Sequence, residues 1–422
     1  MTLAIFAALA SRFGFRPLFL FGLALFTVAS AGCALAPDAF TLIAMRVLQG
    51  VGGAAVVSIG PAILRSVFPG RLLGRVLGLN ALLIAASTAI APIVGGTLLD
   101  TWGWQWLFAL NIVPGVIALV IAMKALPLRT AAVREPFDTP GALLSAVLVG
   151  ALIMAANHAT MPGDGWYALA ALVAGVGFVW RLRHARHPLL PPVIFTSTRF
   201  SLAALTSMAS FVGQGITFVA LPFLFQNVYG YSAFETALLF TPWPVGIVLV
   251  ASHAGRLADK YSPAMISTVG LFALVAGLVS LALLPGQPEV WEIGVRCFLC
   301  GVGFGCFQSP NNREMLSNVS RENSGYASGV LAIMRTFGQC LGAAQVGVLL
   351  AVIAQGGAPA LERQAVQISM WAAVATTAVA VVLSLSRLRG TPRICPCVLR
   401  ANIPEVDVGK CGGGASIGRR VR

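Results

Sequence analysis

Stretches of about 20 predominantly apolar residues recur along this chain, and short segments holding nearly all of the charge separate them. A helix of that length is long enough to cross the hydrocarbon core of a membrane. Apolar residues make up 58% of the 422 positions and charged residues only 10%, against roughly 45–50% and 25% in soluble domains. The chain is therefore predicted to be an integral membrane protein. Its spans are predicted to be α-helices, because lipid offers no partner for unpaired backbone groups.

The positions of the apolar stretches predict twelve complete crossings. They run over residues 17–36, 40–66, 75–98, 106–126, 140–158, 166–181, 201–227, 234–254, 264–284, 291–311, 324–354 and 368–387. No Asp or Glu is expected in the interior of any of these spans. The predicted fold class is all-α, a polytopic transmembrane helix bundle.

The net charge of +14 is distributed unequally between the loops. One alternate set is basic and includes Arg12, Arg16, Arg65, Arg71, Arg75, Lys124, Arg181, Arg183, Arg256, Lys260 and Arg313. The opposite set is acidic and includes Asp38, Asp100, Glu235, Glu289, Glu292 and Glu362. Lys and Arg collect on the cytoplasmic side of membrane proteins, so the basic loops and the C-terminus are predicted to be cytoplasmic. The positive charge thus indicates membrane topology and not nucleic-acid binding.

Three short matches at nearly one spacing indicate two related halves. They pair "LASRFGFR" from Leu9 with "LADKYSPA" from Leu257, "RVLQGVGG" from Arg46 with "RCFLCGVGFG" from Arg296, and "GLNALL" from Gly78 with "GVLAIM" from Gly329. Parallel repeats of this kind occur in transporters whose halves rock about a central site. The two spans at 140–158 and 166–181 fall outside the repeat and are predicted to form an inserted hairpin, with Asp138 capping its first helix.

The predicted domains are therefore an N-terminal transmembrane half at 1–126, the hairpin and its loops at 127–200, a C-terminal half at 201–387 and a disordered cytoplasmic tail at 388–422. Residues 1–11 are apolar but too short to cross a membrane, and they lack the basic start of a signal peptide. The N-terminal half is accordingly expected to be truncated and to begin in the middle of a helix.

Several motifs follow one another in a fixed order. The first basic loop, "AALASRFGFR", holds Leu9, Arg12, Gly14 and Arg16, and its counterpart "GRLADK" holds Gly255, Leu257, Ala258, Asp259 and Lys260. The spans contain "RVLQGVGGAA", with Arg46, Gln49 and Gly50, and "STAIAPIVGG", with Ala91, Pro92, Gly95 and Gly96. Together these segments resemble the fourteen-helix drug:proton antiporters of the major facilitator superfamily, from residue 1 to about 387. The first loop departs from the family's motif, since Ala7 replaces a Gly, Ser11 an Asp and Phe15 an Arg.

The resemblance implies a major facilitator fold, with two pseudo-repeated six-helix halves and a two-helix insertion, here lacking the first helix and part of the second. It also implies proton-coupled efflux of hydrophobic or cationic drugs across a bacterial inner membrane. The expected partners are a small-molecule substrate, protons and the lipid bilayer, without nucleic acid. No cofactor, metal or catalytic residue is expected.

Arg46 and Gln49 are the candidates for proton coupling. Arg46 lies about two turns into an apolar span, where an unpaired charge is costly. One interpretation is that it adjusts the proton affinity of a nearby carboxylate, with Gln49 sharing the site from one helical turn further on. The other is that the Arg46 side chain extends to the membrane interface.

Phe211, Gln214 and Phe218 share one face of a predicted helix because their spacing is 3 and 4. An aromatic and amide surface suits bulky aromatic compounds, including organic cations, so these residues and Gln308 are assigned to a substrate cavity. Packing between helices is the alternative interpretation of the phenylalanines.

Two further sets are expected to control conformational change. Pro92 with Gly95 and Gly96 is expected to form a gate, because small residues allow close helix contact and proline bends a helix. Asp259 with Lys260, and Arg12 with Arg16, are expected to form ion pairs with neighbouring helix ends and so latch an outward-facing state.

Two alternatives to drug export stay open on the sequence. The chain could export an endogenous metabolite, or it could be a non-transporting truncated fragment or scaffold. An enzyme is not expected, because no catalytically spaced cluster of His, Asp, Glu or Ser and no phosphate-binding loop of an ATPase occurs in or near the spans.

Overall fold

The apolar stretches form helices throughout the part of the chain that the structure describes. The computed structural model describes residues 3–126, 138–157, 165–185, 192–286, 288–320, 323–353 and 359–389, and no strand occurs among them. The helices are α1 (Leu3–Phe13), α2 (Phe15–Ala34), α3 (Ala39–Val67), α4 (Leu73–Thr101), α5 (Gln105–Ala109), α6 (Ile112–Ala125), α7 (Thr139–Asn157), α8 (Gly165–His184), α9 (Thr198–Phe223), α10 (Ala233–Phe240), α11 (Pro242–Lys260), α12 (Pro263–Ala282), α13 (Val290–Ser317), α14 (Ser324–Ile353) and α15 (Pro359–Arg389). The predicted tail after Arg389 lies outside the described residues.

Every predicted crossing lies on one of these helices or on a pair of them. Eleven described segments are long and apolar enough to cross a membrane, and α7 adds a shorter apolar stretch at Thr139–Leu152. One crossing is shared by α5 and α6 and another by α10 and α11, while α9 continues into a wide turn over Leu224–Val228. The transmembrane helix bundle predicted from hydropathy is confirmed.

Capping side chains determine where two of the helices begin. Asp38 precedes α3, and its Oδ1 accepts a hydrogen bond from the backbone N–H of Thr41 at an N···O distance of 2.6 Å. Asp138 caps α7 as predicted, because its Oδ1 accepts from the backbone N–H of Gly141 at 3.1 Å. The Nε of Arg181 in α8 lies 3.1 Å from the same oxygen, so one buried carboxylate ties the two hairpin helices together.

Contacts between helices follow the two-fold relation that the internal repeat predicts. In the N-terminal half α2 packs along α3, and in the C-terminal half α12 packs along α13. Between the halves, α4 packs against α11 and α1 against α14, while α3 contacts α14 and α13 contacts α4. The inserted helices α7 and α8 pack against each other, and α7 also contacts α1 and α14.

Basic residues collect at one end of the bundle, here called the basic end. The last turns of α1, α3, α6, α8 and α11 carry Arg12, Arg65, Lys124, Arg181 with Arg183, and Lys260. These helices alternate in direction with their neighbours, as the charge pattern requires of successive crossings. The predicted cytoplasmic side corresponds to this end.

Among the described residues, the largest buried apolar cluster lies mainly in the C-terminal half and includes Ala81 and Ala85 of α4. It includes Ile216 of α9, Trp243 of α11 and Ile293 of α13, which are all fully buried. Large apolar side chains on the outside of the bundle are exposed, such as Leu143 of α7 at 67% and Val176 of α8 at 63%. Such exposure suits helices that face lipid tails, whereas a water-soluble protein would bury most of these residues.

Glu314 corrects the prediction that no carboxylate lies inside a span. The sequence assignment ended this crossing at residue 311, but α13 continues to Ser317 and buries Glu314 at 4% exposure. Asn311 and Glu314 belong to a buried network with Arg387 of α15. Arg387 Nη1 donates to Asn311 Oδ1 at 2.8 Å and lies 3.1 Å from Glu314 Oε2.

Candidate functional site

A central cavity lies between the two halves, among α4, α9, α11, α13 and α14. It has two parts, whose linings share Ala81, Ile84, Gln308, Arg335 and Gln339. The smaller part, here called the aromatic pocket, encloses about 40 Å³ among aromatic and amide side chains. The larger part, here called the main cavity, has about 640 Å³ and extends along α3 towards the basic end. A volume of several hundred Å³ is typical of sites for small molecules.

The aromatic pocket brings together all four residues that the sequence assigned to a substrate cavity, Phe211, Gln214, Phe218 and Gln308. The ring of Phe211 meets that of Phe304 edge to face, with centroids 5.5 Å apart. Gln214 Oε1 accepts a hydrogen bond from Gln339 Nε2 at an N···O distance of 2.9 Å. The expected face of α9 therefore points into a cavity and packs against α13 and α14 at its edges.

Trp243 is a pocket residue that the sequence analysis did not single out. Its ring lies 5.6 Å from that of Phe218, edge to face, and 5.8 Å from that of Phe240, nearly parallel. Its indole N–H is buried and has no hydrogen-bond partner among the described residues. Trp243 stands between Pro242 and Pro244 at the start of α11, and a tryptophan at a helix break in mid-span is the signal that could have identified it.

Arg335 of α14 lies where the two parts of the cavity meet. Its guanidinium carbon lies 5.9 Å from the centre of the Phe211 ring, within the range of a cation–π contact. Arg335 makes no hydrogen bond and no ion pair with any residue in the described ranges. The linings of both parts contain no Asp or Glu among the residues that the structure describes. The described surface of this cavity therefore carries a single positive charge.

Arg46 and Gln49 form a polar chain between α3 and α2. Arg46 Nη1 donates to Gln49 Oε1 at 2.7 Å, and Gln49 Nε2 donates to Ser30 Oγ at 2.7 Å. The Arg46 guanidinium also lies 5.4 Å from the centre of the Phe108 ring. Gln49 is 5% exposed, whereas Arg46 is exposed and makes no ion pair with a described carboxylate. The structure thus joins the two predicted residues and adds Ser30 to them.

Asp259 connects the two halves at the basic end. Its Oδ1 and Oδ2 accept hydrogen bonds from the backbone N–H groups of Gly74 and Arg75, each at an N···O distance of 2.9 Å. Its Oδ1 also lies 2.9 Å from Arg313 Nε, in a mostly buried ion pair. The carboxylate occupies the start of α4, where free backbone N–H groups and the helix dipole favour negative charge. Lys260 is exposed and makes no such contact with a described residue.

Small residues bring α4 and α11 together beside Asp259. A Cβ on Gly255 would lie 2.3 Å from the backbone oxygen of Gly74, and one on Gly78 would lie 2.6 Å from that of Ala251. Only glycine allows two backbones to approach this closely. Elsewhere at the basic end, Arg65 Nη2 donates to the backbone oxygen of Val319. The described helices of the two halves are therefore in direct contact at this end.

The first basic loop, between α1 and α2, makes contacts that differ from those of Asp259 in the second basic loop. Gly14 joins α1 to α2 with a φ of 86°, a conformation that side chains bearing a Cβ rarely adopt. Arg16 Nη2 donates to the backbone oxygen of Met123 at 2.7 Å, and the Arg12 guanidinium lies 5.3 Å from the centre of the Phe13 ring. Neither arginine pairs with a described carboxylate, in contrast to the second loop.

The segment "STAIAPIVGG", which holds Ala91, Pro92, Gly95 and Gly96, lies in the second half of α4. Gly95 faces α5, since a Cβ there would lie 3.7 Å from Leu107 Cδ2. Ala91 is exposed, and the surroundings of Pro92 and Gly96 lie outside what the structure describes. Among the glycines of α4 whose surroundings are described, Gly74 and Gly78 make close backbone contacts, near the basic end.

Comparisons with known proteins agree with this architecture. A family model described as "Major Facilitator Superfamily" matches residues 1–343. The chain is 39% identical over 356 residues to "Uncharacterized transporter YebQ" of Escherichia coli (strain K12), covering 83% of this chain and 78% of that protein. It is 31% identical over 354 residues to "Multidrug resistance protein Stp" of Mycobacterium tuberculosis (strain CDC 1551 / Oshkosh), covering 82% of this chain and 65% of that protein.

Another relative is "Riboflavin transporter RibZ" of Clostridioides difficile (strain 630), which is 28% identical over 346 residues, covering 81% of this chain and 75% of that protein. Among solved structures, that of the human organic anion transporter MFSD10 (TETRAN) matches with a TM-score of 0.63 and 14% identity, covering 90% of this chain and 80% of that one. A likeness at this level of identity concerns the fold alone.

Proposed function

The chain belongs to the Major Facilitator Superfamily, and from that premise we propose that it is a secondary active exporter of hydrophobic, drug-like compounds that uses a proton gradient. Its relatives are transporters and not enzymes, and its helices are those of a multi-pass membrane protein. We place it in a bacterial inner membrane with the basic end in the cytoplasm.

The central cavity is the observation that supports this proposal. It lies between the two halves, and the aromatic pocket presents Phe211, Phe218 and Trp243 next to the amides of Gln214 and Gln308. Aromatic rings accept apolar molecules of many shapes, and a few amides supply adaptable hydrogen bonds. A cavity with this lining suits compounds with large apolar bodies. The relative named as a multidrug resistance protein supports the same class of substrate.

The contacts of Asp259 support a transport cycle with alternating access. One carboxylate holds two backbone N–H groups of α4 and the Arg313 side chain, so closure at the basic end depends on a small set of polar contacts. Such contacts can break and re-form as the halves rock about the cavity. We propose that Asp259 stabilises the state that is closed at the basic end.

Arg46, Gln49 and Ser30 support the proposal of proton coupling. Their hydrogen bonds form a continuous chain inside the membrane-spanning part of α2 and α3. A membrane-embedded arginine lowers the pKa of a carboxylate that approaches it, and so controls when that carboxylate releases a proton. We propose that these hydrogen bonds position Arg46 to control proton release from such a carboxylate.

Export or uptake of an endogenous metabolite is the second candidate function. The relative named as a riboflavin transporter favours it, because riboflavin is itself a flat aromatic molecule with many hydrogen-bonding groups. The amide-rich lining of the cavity suits such a molecule as well. A non-transporting scaffold is the remaining alternative, and it differs from both in showing no flux.

Gln214→Leu should change the spectrum of compounds that the protein exports more than the amount of protein in the membrane. Leucine keeps most of the side-chain volume but removes the hydrogen bond with Gln339 and a polar group from the aromatic pocket. Compounds that hydrogen-bond in the pocket should lose roughly tenfold in protection, corresponding to about 1.4 kcal/mol. The measurement is a panel of growth-inhibition assays in a bacterial host without its own efflux pumps.

Gln226→Leu is the matched control, because Gln226 is exposed beyond the end of α9 and lines neither part of the cavity. It should leave the spectrum unchanged. If wild-type protein protects against no compound in the panel although membranes contain it, the exporter proposal fails. An identical spectrum for wild type and Gln214→Leu would remove Gln214 from the substrate site.

A further inference from the structure

Arg335 differs from three other arginines that lie within the described spans of the C-terminal half. Arg296 donates to the backbone oxygen of Ser280 at 2.6 Å, Arg313 pairs with Asp259, and Arg387 pairs with Glu314. Each of these satisfies a carbonyl or a carboxylate of the protein. Arg335 lies near the middle of α14 and is partly buried, and its guanidinium lies over the face of the Phe211 ring with no hydrogen-bond or ion-pair partner among the described residues. A partly buried charge without an anionic partner is costly, and in a membrane helix such a residue is a candidate functional site.

The surroundings of Arg335 select against a cation. The described linings of the aromatic pocket and the main cavity contain five amide side chains, Asn80, Gln214, Gln308, Asn312 and Gln339, but no carboxylate. A cationic substrate would therefore meet a like charge and no counter-charge in the described cavity. An anion would find the N–H groups of one guanidinium and those of neighbouring amides. The apolar walls of the cavity concentrate the field of Arg335 within it.

The apolar part of the lining indicates what else the ligand must contain. Leu64, Leu77, Ile84 and Leu331 line the main cavity together with Val56. A volume of about 640 Å³ accommodates a ring system or a comparable apolar body. The aromatic pocket, at about 40 Å³, admits only a small group in this conformation.

We propose that Arg335 binds the anionic group of an amphipathic organic acid whose apolar body occupies the main cavity. This inference rests on the proposed export function and narrows its substrate class, because organic anions and neutral aromatic compounds are favoured over organic cations. Guanidinium binds a carboxylate with two parallel N–H···O bonds, which lysine and amides cannot reproduce. Arg335 would thus orient the substrate and distinguish anionic compounds from neutral and cationic ones.

The test measures binding to the purified full-length chain in lipid nanodiscs by equilibrium dialysis. The probes are three naphthalene derivatives with the same ring and attachment position: naphthoate, naphthamide and naphthylmethylammonium. They differ chiefly in charge, so they separate recognition of the anion from burial of the ring. Wild-type protein should bind naphthoate at least about tenfold more tightly than naphthamide, because hydrogen bonds to charged groups are the strong ones. The ammonium compound should bind most weakly.

Arg335→Gln should weaken naphthoate binding by about tenfold or more and leave naphthamide binding nearly unchanged. Arg335→Lys should retain part of the preference, because it keeps the charge but loses the paired geometry. Arg296→Gln is the matched control, since Arg296 lies in a transmembrane helix but does not line the cavity. It should not change the relative affinities of the three probes.

Equal binding of naphthoate and naphthamide by wild-type protein, tighter binding of the ammonium compound, or no binding of any probe would overturn the assignment of Arg335. So would equal weakening of naphthoate and naphthamide by Arg335→Gln. These outcomes are separate from the export proposal, which is judged by protection of cells and by flux. A carboxylate preference that depends on Arg335, in a protein that moves no substrate, would preserve the site and refute export.

Discussion

Arg387→Met is expected to lower the free energy of unfolding by about 3 kcal/mol or more, because removing one partner of a buried ion pair leaves the other charge uncompensated. Arg387 is 3% exposed, and Glu314, its partner at 3.1 Å, is 4% exposed. Arg387 Nη2 also donates to Ser384 Oγ at 2.6 Å. Ser384 lies in α15 like Arg387, whereas the ion pair with Glu314 joins α15 to α13. The measurement is reversible unfolding by sodium dodecyl sulfate in mixed micelles, followed by tryptophan fluorescence.

Two further variants separate loss of the pair from loss of packing. Arg387→Met combined with Glu314→Gln should recover much of the stability, because no buried charge then lacks a partner. Arg183→Met, which removes an exposed arginine from the last turn of α8, should change stability by only about 0.5 kcal/mol. A loss of less than about 1 kcal/mol in Arg387→Met would show that this pair does not hold the helices together.

Asp259→Ala is expected to open the basic end and to reduce export by about tenfold or more. The substitution removes the acceptor for the N–H groups of Gly74 and Arg75 and the ion-pair partner of Arg313. Hydrogen bonds to a charged group contribute about 1.5–3 kcal/mol, and each 1.4 kcal/mol changes a population ratio tenfold. The closed state should therefore lose most of its population. Double electron–electron resonance between spin labels at Arg71→Cys, in the turn just before α4, and Arg256→Cys, in α11, on a cysteine-free background, measures how far the two helices separate at the basic end.

The neighbouring residue provides the control for this experiment. Lys260→Ala should leave both the distance distribution and the export rate close to wild type, because Lys260 is exposed and makes no polar contact with a described residue. Arg313→Ala should shift the distances in the same direction as Asp259→Ala but by less, since the two backbone hydrogen bonds remain. An unchanged distribution in Asp259→Ala would contradict the role of this carboxylate as a latch.

The fold could be predicted because membrane helices are encoded locally. Each crossing needs a run of apolar residues, and each loop carries its own charge, so hydropathy and charge place every span without knowledge of the others. The errors occur where polar residues enter a helix. Pro310 with Asn311 and Asn312 has the composition of a helix end, yet α13 continues to Ser317, and the Asn311 amide has partners on two other helices, Ala203 of α9 and Arg387 of α15.

The candidate site could be predicted only in part. Spacing placed Phe211, Gln214 and Phe218 on one face of α9, and all three line the cavity. The partner of Gln214 across the cavity, Gln339, depends on which helices meet in space, and the sequence contains no local signal for that. Asp259 was expected to pair with a helix end, but only the fold shows that this end is α4 and that Lys260 takes no part.

Gradient-driven flux through the central cavity is the central claim, and everted membrane vesicles that contain the full chain test it directly. With the vesicle interior made acidic, wild-type protein should accumulate a compound identified by the growth assays, and an ionophore that removes the pH gradient should abolish the accumulation. Arg46→Ala should reduce the gradient-driven accumulation to the level of vesicles without the protein, because the hydrogen bonds that connect Arg46 through Gln49 to Ser30 are then broken. Accumulation by wild-type vesicles no greater than that of vesicles lacking the protein would contradict the account, as would accumulation that persists without the gradient.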